Sequence, residues 1–371
     1  MIKQMVVRVG KLTQRSAPRH ILIPKAVRKI CVFKIGAMGD VLMSTPMVHA
    51  LRQRFPRARI DYWTGEAAAT ALAGNKDLNN VVSFPDNTFL GKRIDLAIAL
   101  ARRVSAERYD LMFILDKHWS LGTFGKLCNV PIRVGFDREG EGFGCTLRVP
   151  YGPVKHEVDY YLDLAYAVGA RKVTKPQTEL VLGKADLLFA KTFFKQRGLD
   201  PKKTIGIAPG GAKNPGQDMV IRRWPVDRFA AVAKALAAQG WQILLIGRSP
   251  GDDHVLPAML GAVPNAVNAV GTLSLRQSAA LIKQCRVFVC NDSGPMHFAA
   301  AVGTPTVSVF GATDPYRKAP RGKQHKWVWN PIDCTRAEVF AQYDEPHLIQ
   351  NILKVHPSHV LKAVQLLVKG I

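Results

Sequence analysis

No stretch of the 371-residue chain approaches the ~20 consecutive apolar residues that a membrane-spanning helix requires, so the chain reads as soluble or peripheral. Cysteine is sparse and scattered. Cys31, Cys128, Cys145, Cys285, Cys290 and Cys334 form no Cys-x-x-Cys pair, and no His cluster has metal-ligand spacing. Neither a disulfide scaffold nor a bound metal is expected, and the six read as reduced core thiols of a cytosolic protein. The N-terminus lacks the apolar core and cleavage site of a secretory signal, which argues against export. A Gly-x-Gly-x-x-Gly fingerprint is missing, which argues against a Rossmann oxidoreductase. Acidic residues are the last shortage. Only 28 Asp and Glu face 52 Lys and Arg, and the net charge of +24 implies an anionic partner: nucleic acid, anionic lipid or a phosphorylated substrate.

The basic excess is densest at the start. Lys3, Arg8, Lys11, Arg15, Arg19, Lys25, Arg28 and Lys29 occur with no acidic neighbour, among Met5, Val6, Val7 and Ile21-Leu22-Ile23. That mixture suits a membrane surface, a phosphodiester backbone or a solvated disordered tail. Further along, the aromatic residues sit mostly in strands and on helix faces. Nucleic-acid binding predicts aromatics interleaved with basic residues along a groove, so a nucleic-acid partner is not expected.

Strand and helix patterns alternate from Lys29 onward. Lys29–Ile35, Arg59–Trp63, Val81–Phe84, Leu111–Leu115 and Ile132–Phe136 read as strands, Val41–Phe55, Ala97–Glu107 and His156–Gly169 as helices, and Arg138–Gly144 as a mobile loop. A fresh series opens after Lys175-Pro176. Its strands are Thr204–Ala208, Trp241–Gly247, Arg286–Cys290 and Thr304–Phe310, its helices Leu187–Gly198 and Val226–Gln239, and Ser274-Leu275-Arg276-Gln277 is a capping box. A chain of this length, 47% hydrophobic, exceeds what one core holds. The expected organisation is α/β: a basic extension over 1–28, Rossmann-like domains over 29–175 and 176–350 meeting at a cleft, and a C-terminal helix over 351–371 packing back on the N-terminal domain.

Two strand-to-helix elbows carry chemistry. After the Arg286–Cys290 strand, Asn291-Asp292-Ser293-Gly294-Pro295-Met296-His297 supplies a helix start that suits a phosphate. Asp292 or Ser293 caps the helix, Pro295 fits its first turn, Gly294 permits close approach and Gly303 ends it. After the first strand, Gly36-Ala37-Met38-Gly39-Asp40 makes a tight turn. Asp40 lies at the carboxyl edge of the sheet, where it is either a ligand-facing carboxylate or a helix cap.

Phe33-Lys34-Ile35-Gly36-Ala37-Met38-Gly39-Asp40-Val41-Leu42 with Thr45-Pro46, Pro209-Gly210 followed by Arg223-Trp224-Pro225, Asn291–His297, and Phe310-Gly311-Ala312-Thr313-Asp314-Pro315 occur in that order. Together they resemble the ADP-heptose:lipopolysaccharide heptosyltransferases, glycosyltransferase family nine. The resemblance implies a GT-B fold and inverting transfer of a heptose, or a related sugar, from a nucleotide diphosphate to an anionic glycolipid at the cytoplasmic membrane face, with no metal and no cofactor. It makes Asp40 the general base, with Lys34 and Gly39 near acceptor or diphosphate. Gly210, Gly211, Arg222 and the Ser293, Gly294, Pro295, Met296 nest would hold the donor, and Asp292 its sugar hydroxyls. His297 would bond a phosphate or orient the elbow, and Lys34 would otherwise reach solvent. Two features depart from the family pattern: Arg248 stands where relatives often carry a ribose-holding acid, with acids only at Asp252 and Asp253, and Lys213–Ile221 is longer than usual. A different donor sugar or a non-lipid acceptor is the alternative within the same class.

Overall fold

The computed structural model of the chain describes residues 26–91, 93–152, 154–214, 217–248, 251–271, 273–334 and 346–370. Most of the basic extension therefore lies outside the described residues. The chain divides between Thr178 and Glu179 into two compact units, each with its own sheet and core.

The first unit holds six parallel strands: β1 Lys29–Lys34, β2 Arg59–Gly65, β3 Asn80–Phe84, β4 Leu111–Ile114, β5 Ile132–Asp137 and β6 Leu147–Pro150, in the order β3-β2-β1-β4-β5-β6. Both faces are covered, as a parallel sheet demands. Alternation along β1 divides its side chains between two cores. Ile30 and Val32 join the core that includes Val48, Leu51 and Leu162, while Cys31 and Phe33 join Leu100, Val104 and Phe124 on the other face.

The second unit repeats the arrangement. β7 Thr204–Ala208, β10 Gln242–Arg248, β11 Val267–Gly271, β12 Val287–Asn291, β13 Thr306–Val309 and β14 His325–Val328 pair in the order β11-β10-β7-β12-β13-β14, and a two-stranded antiparallel ribbon, β8 Lys213–Asn214 with β9 Gln217–Asp218, follows β7. Numbered within each unit, both sheets have the order 3-2-1-4-5-6 of doubly wound dinucleotide-binding folds.

Several expectations need correction. The helix expected over Val41–Phe55 is two, Met38–Met43 and Thr45–Arg54, because Pro46 has no N–H to continue the ladder. Ser44 Oγ and Thr45 Oγ1 instead donate to the carbonyls of Val41 and Leu42. The Arg138–Gly144 segment is docked rather than loose: Asp137 Oδ1 accepts the Gly140 and Gly142 N–H groups, Arg138 pairs with Glu141, and Gly144 lies so close to Gly122 that a Cβ there would sit 2.1 Å from backbone. The helix Pro357–Lys369 belongs to the second unit, where Val360, Val364 and Leu367 join the core of Ile205, Phe229 and Val289. Its buried face is thus part of the second unit's core. Strands β6, β11 and β14 had no clear signal; each is a short sheet edge. All six cysteines are buried and none is in a disulfide, and burial pushes the Cys128, Cys145 and Cys290 thiols up to about 12, so those three stay protonated core residues.

His325 on β14 is buried and hydrogen-bonds Thr306 Oγ1 through Nδ1, and burial lowers its pKa to about 4. A folded-state pKa below the unfolded value means the native state holds the neutral ring. The stability it contributes is complete above about pH 6.5 and is lost as pH falls through about 4. His325→Phe is expected to remove about 2–3 kcal/mol of the stability difference between pH 7 and pH 4.5 in urea titrations. An unchanged pH slope would show that His325 is not the titrating group.

Candidate active site

Each unit has one place where strand order reverses, between β1 and β4 and between β7 and β12. Connections leaving the carboxyl ends there diverge and open a crevice, the usual ligand position in open α/β sheets. Both elbows singled out from the sequence lie at these points.

In the second unit, β7 runs into Pro209-Gly210-Gly211 and β12 ends at the fully buried Asn291. The Asn291 amide bridges them: Nδ2 donates to the Pro209 carbonyl at 2.9 Å and the Gly210 carbonyl at 3.0 Å, while Oδ1 accepts the Trp224 N–H at 2.9 Å. Glycine is required beside it. A Cβ on Gly210 would lie 2.2 Å from Asp252 Oδ1, and Gly211 has φ 84° with Ser293 Oγ 2.9 Å from a virtual Cβ. Asp252, buried, accepts the N–H groups of Gly211 and Arg248, each at 2.9 Å. The acid that follows β10 is thus engaged in bracing two turns, and the exposed Arg248 occupies the strand end. Arg223 Nε donates to the Gly211 carbonyl at 2.8 Å and its guanidinium pairs with Asp218 of the ribbon, while Trp224 is buried and donates Nε1–H to the Val355 carbonyl at 3.0 Å.

The elbow after β12 opens the helix Gly294–Ala301. Ser293 is its N-cap in extended conformation, yet its hydroxyl makes no cap bond and neither does Asp292, contrary to expectation. The Asp292 N–H donates to the Val309 carbonyl and the Met296 N–H to the Ser293 carbonyl, and Pro295 has none to give. That leaves the Ser293 and Gly294 N–H groups without a protein acceptor among the described residues, next to the positive end of the helix. Arg222, at the end of the 3-10 turn Val220–Arg222, places Nε 3.5 Å from Asp292 Oδ2, and both side chains are largely buried. Met296 and His297 are buried in the first turn. Gly210, Gly211, Arg222, Asp292, Ser293 and Gly294 therefore do come together within this unit.

In the first unit, β1 leads through Ala37, at φ 61°, into the helix Met38–Met43, where Gly39 precedes Asp40 and Asp40 is partly exposed. Lys34 does not reach solvent: it is buried, and Nζ bonds the Asp116 carboxylate, whose second oxygen accepts the Ile35 N–H at 2.7 Å. Beside it Lys117 pairs with the fully buried Glu157, its Nζ also 4.7 Å from the Tyr151 ring centroid. His156 caps the helix Glu157–Tyr166, accepting the Val158 N–H. Asp116, Lys117, Glu157 and Tyr161 were not singled out from the sequence. The signal was Asp116-Lys117 directly past the carboxyl end of β4, the strand that flanks β1 at the reversal.

Residues 97–345 match the family model for glycosyltransferase family 9 (heptosyltransferase). The chain belongs to this family. It is a glycosyltransferase, and its paired doubly wound units are of the GT-B class. Lipopolysaccharide heptosyltransferase 2 of Salmonella typhimurium is 28% identical over 308 residues, 77% of this chain and 84% of that protein. Among solved structures, the family 9 glycosyl transferase of Veillonella parvula superimposes with a TM-score of 0.80 at 20% identity, covering 94% of this chain and 99% of its own. The E. coli ADP-heptose lps heptosyltransferase II does so with a TM-score of 0.72 at 23% identity, covering 92% and 99%.

The Asn291 bridge sets an expectation for the second unit. Asn291→Ala strands one buried N–H and two carbonyls, each worth about 1–3 kcal/mol. Denaturant unfolding is expected to show a loss of roughly 3–5 kcal/mol with the slope unchanged. A loss under about 1 kcal/mol would mean that the two strand ends hold together without the amide.

Proposed function

We propose that this glycosyltransferase transfers heptose from ADP-heptose to a lipopolysaccharide core or similar anionic glycan, in a single inverting displacement without a metal. The acceptor oxygen bonds to the anomeric carbon as the bond to the diphosphate oxygen breaks, the acceptor proton passes to Asp40, and ADP leaves. Kinship with curated lipopolysaccharide heptosyltransferases supports the substrates. The observation that carries the donor half is the β12 elbow: two N–H groups at a helix start with Arg222 alongside form an anion site. Arg222 keeps its charge at any working pH and suits a leaving group that gains negative charge. Asp292 then holds sugar hydroxyls, and His297 orients the elbow or bonds a phosphate. In the acceptor half Asp40 is a partly exposed carboxylate at the carboxyl end of β1, the strand on which Asp116 holds Lys34.

Asp40→Asn is expected to lower kcat at least ~10²-fold, the usual scale for a general base, while ADP affinity by titration stays within about twofold. Chelators are expected to leave turnover intact. Activity within a few-fold of the parent would make Asp40 a first-turn helix residue only.

The +24 charge and the basic N-terminal segment fit contact with an anionic membrane at the cytoplasmic face. No helix among the described residues is long and apolar enough to cross a membrane. Deleting residues 1–27 is expected to reduce cosedimentation with anionic liposomes in a salt-sensitive way and to leave turnover on a delipidated acceptor nearly unchanged. Equal liposome binding by both forms would assign any membrane attraction to the folded units.

A further inference from the structure

The first unit contains a hydroxyl that its packing does not explain. Tyr161, on the helix Glu157–Tyr166, is fully buried, and its OH has no hydrogen-bond partner among the described residues. Its ring packs near Phe136, with centroids 6.3 Å apart, and 6.0 Å from Lys117 Nζ. Phenylalanine would fill the same space without stranding a polar atom, and an orphaned buried hydroxyl is costly.

The surroundings say what the hydroxyl could serve. Glu157, one turn earlier on the same helix, is held by Lys117; Asp116 is held by Lys34 and the Ile35 N–H; and the Tyr62 hydroxyl is shared with Ser44 Oγ at 2.9 Å. The helix Met38–Met43, which carries Asp40, packs against the helix of Tyr161. Burial above all, and then the nearby Asp40, Glu157 and Asp116 carboxylates, hold the Tyr161 phenol protonated far above neutrality. A neutral phenol among carboxylates has one proton to give. Asp40 is the partly exposed carboxylate of the cluster.

We propose that Tyr161 is a positioning residue for Asp40: its buried hydroxyl donates to the inner carboxylate oxygen when the acceptor is bound, leaving the outer oxygen aimed at the acceptor hydroxyl. This rests on the reading of Asp40 as the base. A donor to a carboxylate favours the charged form and holds its pKa down. It also fixes the orientation of the base.

The test is Tyr161→Phe in the full-length protein, with ADP-heptose and a heptose-free core acceptor, read as kcat and kcat/KM against pH beside thermal stability. The expected result is a kcat about tenfold lower, with the acidic limb moved to higher pH, acceptor KM and ADP affinity within about twofold, and thermal stability unchanged or raised. A purely structural hydroxyl would move stability and leave the limb in place. Should the phenylalanine variant fail to fold, 3-fluorotyrosine placed at 161, a stronger donor, is expected to move the limb to lower pH, and an unmoved limb would overturn the proposal. Asp40→Asn separates the two ideas. If it is inactive while Tyr161→Phe matches the parent in kcat and limb, the role of Tyr161 is wrong and that of Asp40 survives; if it is active, both fall.

Discussion

Bridging the point of strand reversal with a single side chain is the constraint on which both halves of this protein depend. Where neighbouring parallel strands send their chains to opposite faces, the carboxyl ends carry exposed N–H and C=O groups that no ladder satisfies. In the second unit Asn291 satisfies three of them, two carbonyls after β7 and the Trp224 N–H. In the first unit Asp116 performs the equivalent bridge, taking the Ile35 N–H after β1 and the Lys34 ammonium with its two oxygens.

The turns around those floors follow. With Asn291 drawing the Gly210 carbonyl inward, Gly210 and Gly211 approach Asp252 and Ser293 too closely for a side chain. Asp252 then satisfies the freed Gly211 N–H and the Arg248 N–H together. Arg223 closes the set from the other side through the Gly211 carbonyl, and Trp224 secures the segment before the last helix through Val355. The Arg-Trp-Pro motif is therefore a brace for the turn after β7, while the preceding residue, Arg222, is left to face the elbow and Asp292.

Much of this was legible. The apolar strands, the two elbows and the order of the α/β units stand in the sequence because a parallel strand covered on both faces is mostly apolar while polar residues gather at its ends. Edge strands β6, β11 and β14 escaped because a strand with one neighbour carries fewer constraints. The His325-Lys326-Trp327-Val328 segment has no reading as a strand until β13 is beside it. The site was legible where motif residues were local in sequence. Asp116, Glu157 and Tyr161 were not, since their relation to Lys34 and Asp40 is created by pairing β4 with β1 and packing one helix on another. The departure at Arg248 was legible, but the place of the next acid was not: Asp252 is taken by two otherwise unsatisfied N–H groups.

The two bridges differ in charge, and the difference suits the proposed chemistry. Asn291 is neutral, so the Ser293 and Gly294 N–H groups and the helix end of the second crevice stand above an uncharged bridge, with Arg222 beside them against Asp292. Asp116 is charged but arrives with Lys34, and Glu157 arrives with Lys117, so the first crevice is lined by two compensated pairs. A carboxylate set among compensated pairs can accept a proton without unbalancing its surroundings. One topology, repeated, thus takes a neutral amide as its bridge in one unit and a lysine-paired acid in the other, and the proposed donor and acceptor halves divide the same way.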